Sequence, residues 1–350
     1  MKRNVTKIYE SFFEPKNTID WNYYGDNDIE QENPIHSIEK CKNFITKFIT
    51  LSGKYNANTL FEKITELKDF RAQHIVSTFF LGVYFYNNVP IIRRAIDKKI
   101  KKFKNRKIYT SEIEFTYMWF LACLFHDLGY KFEEDSEYES LAHFFQKENL
   151  RNLNSPDGVP SFYKKVYEAY FEYRISDMKK NDHGICASFL LFNDLKIIRN
   201  EQENSDNKNK KLCWEKSLEN VYNFIAWIIL AHNIWYTNES ATKKAKEYQG
   251  VMSDLILREN DKGINYKITL KNHPFLFLFC LVDTIEPIKC VRYTGLLEKI
   301  EIEIIGDDKI VFQSNLDCGC QDRFIKQVDG LKDWLIGTDV VDNKVSIVLS

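Results

Sequence analysis

His126 and Asp127 are neighbours at the end of the apolar run Phe120-Leu121-Ala122-Cys123-Leu124-Phe125, and Gly129 stops that run. From Glu112 to Phe125 the chain is apolar on nearly every face, which predicts a buried helix. An imidazole and a carboxylate at the end of a buried helix both need partners, because an unpaired buried charge is very costly. Similar endings recur: Ile225 to Ala231 leads into His232-Asn233, and Phe275 to Val282 meets Asp283. His74 and His183 fall on two further predicted helices. Singly, such a histidine is a hydrogen-bonded core or surface residue, and such an aspartate is a helix cap. As a set on five helical segments they satisfy one another best around a cation.

The chemistry of such a set is that of a divalent metal. Imidazole plus carboxylate suits Mn, Fe, Co, Ni or Zn, and Mg where more oxygen ligands are supplied. Asp127 can use both oxygens and so could bridge two ions. An ion held there acidifies a water for in-line attack on phosphorus and neutralises the attacked and leaving oxygens. Arg71 lies one turn before His74 on the same predicted face. It would either hold a phosphate by two hydrogen bonds or orient a ligand carboxylate through a salt bridge. Lys131 would either contact substrate phosphate or stand in solvent.

The other candidates are weaker. His143, in Leu-Ala-His-Phe-Phe, reads as a packed or rim residue, His273 as a loop residue before Pro274, and His36 lies outside the set. Cys318-Gly319-Cys320 is too tight for a usual zinc pair. Cys123 and Cys280 sit inside apolar runs, where cysteine behaves as a small hydrophobe. No Gly-rich phosphate loop and no Gly-x-Ser-x-Gly elbow is present, which removes the P-loop and α/β-hydrolase readings.

The elements that must position these residues are mostly helices. Residues 1–35 mix aromatic and polar residues with Pro15, Gly25 and Pro34, and predict an irregular N-terminal arm. Apolar residues recurring at three and four predict helices over His36 to Leu51 and Asn58 to Tyr86. Pro90 ends or restarts the second, and Ile91 to Lys104 is amphipathic. Its lysine cluster reads as a solvated helical face, since no aromatic stacking set accompanies it. Helices are also predicted over Leu141–Leu150, Phe162–Met178, a segment opening at His183 with Asp182 as N-cap, Leu218–Ile234, Ala241–Arg258, and one opening at Pro274. Residues 199–212 are polar and of low complexity, which predicts a mobile insertion. After residue 297 the period changes to two: Ile300, Ile302 and Ile304 alternate with charges, and Gly306-Asp307-Asp308 turns into a hairpin partner at Lys309–Phe312. A helix over Phe324–Ile336 and a strand over Lys344–Leu349 complete a small appendage.

The composition agrees. The chain has 350 residues with 13 Gly and 7 Pro, too few for a turn-rich all-β fold, and 26 Phe and 19 Tyr to fill a core. A formal net charge of −1 gives no global basic field for wrapping nucleic acid. The N-terminus carries no apolar leader, and apolar runs of about ten residues fall short of the ~20 that span a bilayer. A reduced cytoplasmic protein without a membrane partner is expected.

In order, Arg71-Ala-Gln-His74, His126-Asp127-Leu-Gly129, Asp182-His183-Gly184, Ala231-His232-Asn233 and Val282-Asp283-Thr-Ile resemble the HD-domain metal-dependent phosphohydrolase superfamily. The resemblance covers about residues 70–287. It implies an all-α HD-type helical bundle over 36–296, followed by the α+β appendage at 297–350. It implies metal ligands at His74, His126, Asp127, His183, His232 and Asp283, with Asp127, Arg71 and Lys131 at the reacting phosphate. One or two divalent ions would serve hydrolysis of a phosphate ester or anhydride in a nucleotide or oligonucleotide. His183 and His232 are similar to the two-metal versions, among them HD-GYP phosphodiesterases and CRISPR HD nuclease domains. The pattern departs in three places. Tyr130 stands where many relatives carry a lysine, with Lys131 one residue later. Asn233 stands where two-metal members often have a second histidine, which suits a weak second site or a hard ion such as Mg²⁺. No Gly-Tyr-Pro signature is found at the expected place, so cyclic-dinucleotide hydrolysis is not implied. The alternative is a non-catalytic, metal-stabilised nucleotide sensor or interaction module.

Overall fold

The computed structural model describes residues 2–14, 33–51, 66, 69–105, 114–132, 183–205, 215–232, 268–291, 294–333 and 335–349. It is mainly helical, with one small antiparallel sheet. The chain divides into two compact units: residues 1–107, 111–123 and 269–350 form the first, and residues 108–110 and 124–268 the second.

The first unit is built on α3 (Asp69–Asn88), whose residues from Val76 to Phe85 are almost continuously buried. Such a stretch has no solvent face, so it must be covered on all sides. Phe44 and Phe48 of α2 (Ile38–Leu51) cover one side, meeting Phe79 at 6.1 and 5.8 Å between ring centroids. Phe120 of α5 (Phe115–Phe125) stands edge-on to Phe79 at 5.5 Å. Gly82 lets α5 approach: a Cβ there would lie 2.1 Å from the Trp119 ring, whose Nε1–H donates to the Phe79 carbonyl at 3.1 Å. α4 (Pro90–Asn105) turns away from α3 by 97° at Val89, as a proline that restarts a helix requires. α8 (Pro274–Ile285), opened by Pro274, lays Phe275 and Phe279 against Phe115 and Trp119.

The sheet of this unit has strand order β1-β2-β3-β5-β4. β2 (Ile300–Ile305) and β3 (Lys309–Ser314) form the expected hairpin, with Ile302 opposite Phe312 and Gly306 at φ +63° in the turn. β5 (Lys344–Val348) pairs with β3, and β4 (Thr338–Val341) closes the far edge. Phe312 meets Phe85 of α3 at 6.4 Å, so the sheet is packed on the helices.

Three expectations need correction. Residues 2–13 are not irregular: Lys2–Asn4 is β1, an edge strand on β2, and Val5–Glu10 is α1, capped by the Asn4 side chain. Strand pairing and a cap supply the order that short-range periodicity does not show. The late helix is α10 (Cys318–Asp329) rather than Phe324–Ile336, with Asp317 as its N-cap. Cys318-Gly319-Cys320 is therefore its first turn. β4 was not expected, because four residues carry too little alternation to register.

In the second unit, α6 (His183–Glu203) packs along α7 (Leu218–Ala231) and against a 3-10 turn, Leu128–Phe132. α6 runs through Arg199 to Glu203, where a mobile insertion was expected. Arg199 is buried and bonds to Glu203 one turn on and to Glu219 of α7 at 2.6 Å. These pairs hold a polar stretch in helix that composition alone reads as loop. The expected helices at 141–150, 162–178 and 241–258 lie outside the described residues, as do Asp182 and 206–214 of the expected insertion. No single helix among the described residues is long and apolar enough to cross a membrane, and α3 with α4 reaches that composition only across the 97° bend.

Candidate functional site

In the first unit, α3 carries His74 fully buried among carboxylates. Its Nδ1 bonds Glu286 Oε2 at 2.7 Å and its Nε2 bonds Asp283 Oδ1 at 3.2 Å. Burial and the nearby Lys289 ammonium push the imidazole down, but the bonds to Asp283 and Glu286 outweigh them and raise its pKa to about 9. Asp283 lies in the last turn of α8 and also pairs with the Lys289 ammonium.

Glu286 is the residue the sequence reading missed. It is fully buried just past α8. Besides His74 it accepts from the Ser77 hydroxyl and from the backbone N–H groups of Ile288 at 2.8 Å and Lys289 at 3.1 Å. The Tyr9 hydroxyl bonds Ser77 in turn at 2.6 Å. A buried carboxylate with this many donors is both satisfied and immobile. Glu286 precedes Pro287, and the backbone groups it accepts from belong to the first turn of α9 (Pro287–Val291). The available signal was an acidic residue between an apolar helix and a proline, which also describes an ordinary cap.

Arg71 lies on α3 one turn before His74, with its guanidinium 5.3 Å from the centre of the Phe70 ring. Cys123 and Cys280 are buried, and burial followed by the charge of Asp283 pushes both thiols well above their usual range. They are apolar filler, as expected from their runs.

In the second unit, the expected histidines come together. His126 directly follows α5, and His183 is the first residue of α6. His232 caps the C-terminus of α7. The ring centroids of His126 and His232 are 5.5 Å apart, and those of His183 and His232 are 5.3 Å apart. His126 Nε2 lies 3.3 Å from Asp127 Oδ1, and all four residues are buried. His232 Nδ1–H donates to the Ile229 carbonyl, which places its lone pair on Nε2.

Two neighbours set this group. A Cβ at Gly129 would sit 1.8 Å from the His183 carbonyl oxygen, so the glycine lets the turn touch α6 directly. Tyr130 stacks its ring on His183 at 3.8 Å and 15°. Lys131 is exposed on the Leu128–Phe132 turn.

His74, Asp283 and His126 each offer an atom able to ligate a metal ion. The donor chemistry fits: imidazole nitrogens with carboxylate oxygens, buried and oriented by further hydrogen bonds. No family model, no curated protein and no solved structure matches this chain.

Proposed function

We propose that this chain is a metal-dependent phosphohydrolase of the HD type, acting on a phosphate ester or anhydride of a nucleotide or oligonucleotide. The observation that carries the reading is the buried gathering of His126, Asp127, His183 and His232 in the second unit. Three imidazoles beside a carboxylate make a poor apolar core and a good ligand set. With His74 and Asp283 they complete the ordered pattern of the superfamily.

A bound divalent ion would supply Lewis-acid activation of water and charge neutralisation at phosphorus. The residues of the chain have their own tasks. Glu286 accepts from His74 Nδ1, which turns His74 Nε2 toward Asp283. The Ile229 carbonyl does the same for His232, keeping Nε2 as the ligand atom. Asp127 contributes carboxylate oxygen beside His126. Phosphate binding falls to Arg71 and to the exposed Lys131, because Tyr130 is engaged in stacking on His183.

Elemental analysis of the purified protein, followed by Mn²⁺-dependent assays on a generic phosphodiester and a nucleotide panel, tests this. Metal content and turnover that both vanish in Asp127→Ala are expected. A protein without a transition metal, whose activity survives Asp127→Ala, ends the proposal.

A further inference from the structure

A cavity of about 460 Å³ opens in the first unit between α4 and the start of α8. Its lining separates into two chemistries. Ile91, Ala95, Leu270, Pro274 and Leu349 give an apolar wall, and Arg94, Lys98, Lys99 and Lys271 give four cations. Among the described residues no carboxylate lines it. Asp307 Oδ2 holds Arg94 Nη1 at 3.0 Å.

The wall is fixed from several directions. The Ile91 N–H donates to the Asp307 carbonyl at 3.2 Å, and the Leu349 N–H to the Asp308 carbonyl at 2.8 Å. These bonds tie α4 and the C-terminal end of β5 to the β2–β3 turn. The opposite side is the entry to α8, where Leu270, Lys271 and Asn272 lead to Pro274. The field of the lysines reaches the neighbouring His273: burial and then the charge of Lys99 push its imidazole down to about 4. A neutral His273 therefore adds no further charge at the edge of the cavity near pH 7.

We propose that this cavity binds a small organic phosphate ester, with the dianion among Arg94, Lys98, Lys99 and Lys271 and the apolar or aromatic group on the Ile91–Leu349 wall. The volume lies in the range of small-molecule pockets, roughly 300–1,000 Å³. Four cations around one mouth suit a doubly charged head better than a singly charged one. The apolar wall distinguishes an ester from the bare anion. Its lining shares no residue with the proposed metal ligands, and its cations contrast with their imidazoles and carboxylates, so it is a second binding site rather than part of the hydrolytic one.

Titration calorimetry on the full chain in EDTA, at low ionic strength, tests it with phenyl phosphate, inorganic phosphate and benzenesulfonate as probes. Phenyl phosphate is expected to bind at least tenfold tighter than either of the others. Lys98→Glu with Lys271→Glu should weaken phenyl phosphate at least tenfold, and the gentler Lys98→Ala with Lys271→Ala should weaken it in the same direction. Asp127→Ala should leave it unchanged, which separates this site from the hydrolytic reading. The proposal is overturned if charge reversal leaves the affinity intact, if inorganic phosphate or benzenesulfonate binds as tightly as the ester, or if Asp127→Ala abolishes binding.

Discussion

In the first unit one imidazole is held on both nitrogens by carboxylates; in the second, three imidazoles and an aspartate are gathered with ring against ring. His74 owes its orientation to bonds with Glu286 and Asp283, and Glu286 is itself fixed by Ser77 and two backbone N–H groups. His183 lies under the Tyr130 ring and beside His232, with the Gly129 backbone against its carbonyl. Bonds to buried charges fix a ring by electrostatics and cost much to break. Ring packing fixes it by shape, and each contact is worth less. The first group should therefore contribute more to the stability of the metal-free protein than the second.

The largest effect is expected at Asp127. Asp127→Ala should reduce turnover about 1,000-fold, near 4 kcal/mol of barrier, with metal lost on elemental analysis and helicity unchanged by circular dichroism. Retained metal would break the assignment of Asp127 as a ligand. Next is Glu286→Ala, which strips a buried charge pair and should cost about 3 kcal/mol of stability in metal-free protein, read from denaturant unfolding. A loss no greater than that of Tyr130→Ala would erase the contrast between the two groups. Gly129→Ala comes third, at about 2 kcal/mol, since its Cβ must displace the backbone of α6. A crystal structure of that variant should show the Leu128–Phe132 turn shifted from His183. Smallest is Tyr130→Ala, at about 1 kcal/mol or less for one partly exposed stacked pair. Its clearer signature is weaker metal affinity by titration, because the His183 ring loses its clamp; unchanged affinity would make the stack incidental.

The gathering of the second-unit histidines was legible because each stands at a boundary that periodicity marks. His126 ends one apolar run and His232 another, and His183 opens a helix. The hairpin was legible for the same reason, from alternating isoleucines and a turn glycine. Glu286 was not, because its function depends on His74, 212 residues away in sequence. Neither the helical state of Arg199–Glu203 nor β1 was read from the sequence: besides its pair with Glu203 one turn on, Arg199 depends on Glu219 of α7, and β1 depends on pairing with β2, contacts with segments outside the local window.

By itself, the sequence determined a mainly helical chain, and that His74, His126 and Asp283 are among the residues able to hold an ion. Local burial periodicity and residue chemistry are properties of short windows, so they survive in a string of letters. Only the tertiary structure decided that His74 lies between two carboxylates and that Tyr130 stacks on His183. It also decided that the lysines of α4 share a cavity with Lys271. These are contacts between distant segments, and the packing of whole elements, not any local preference, brings them together.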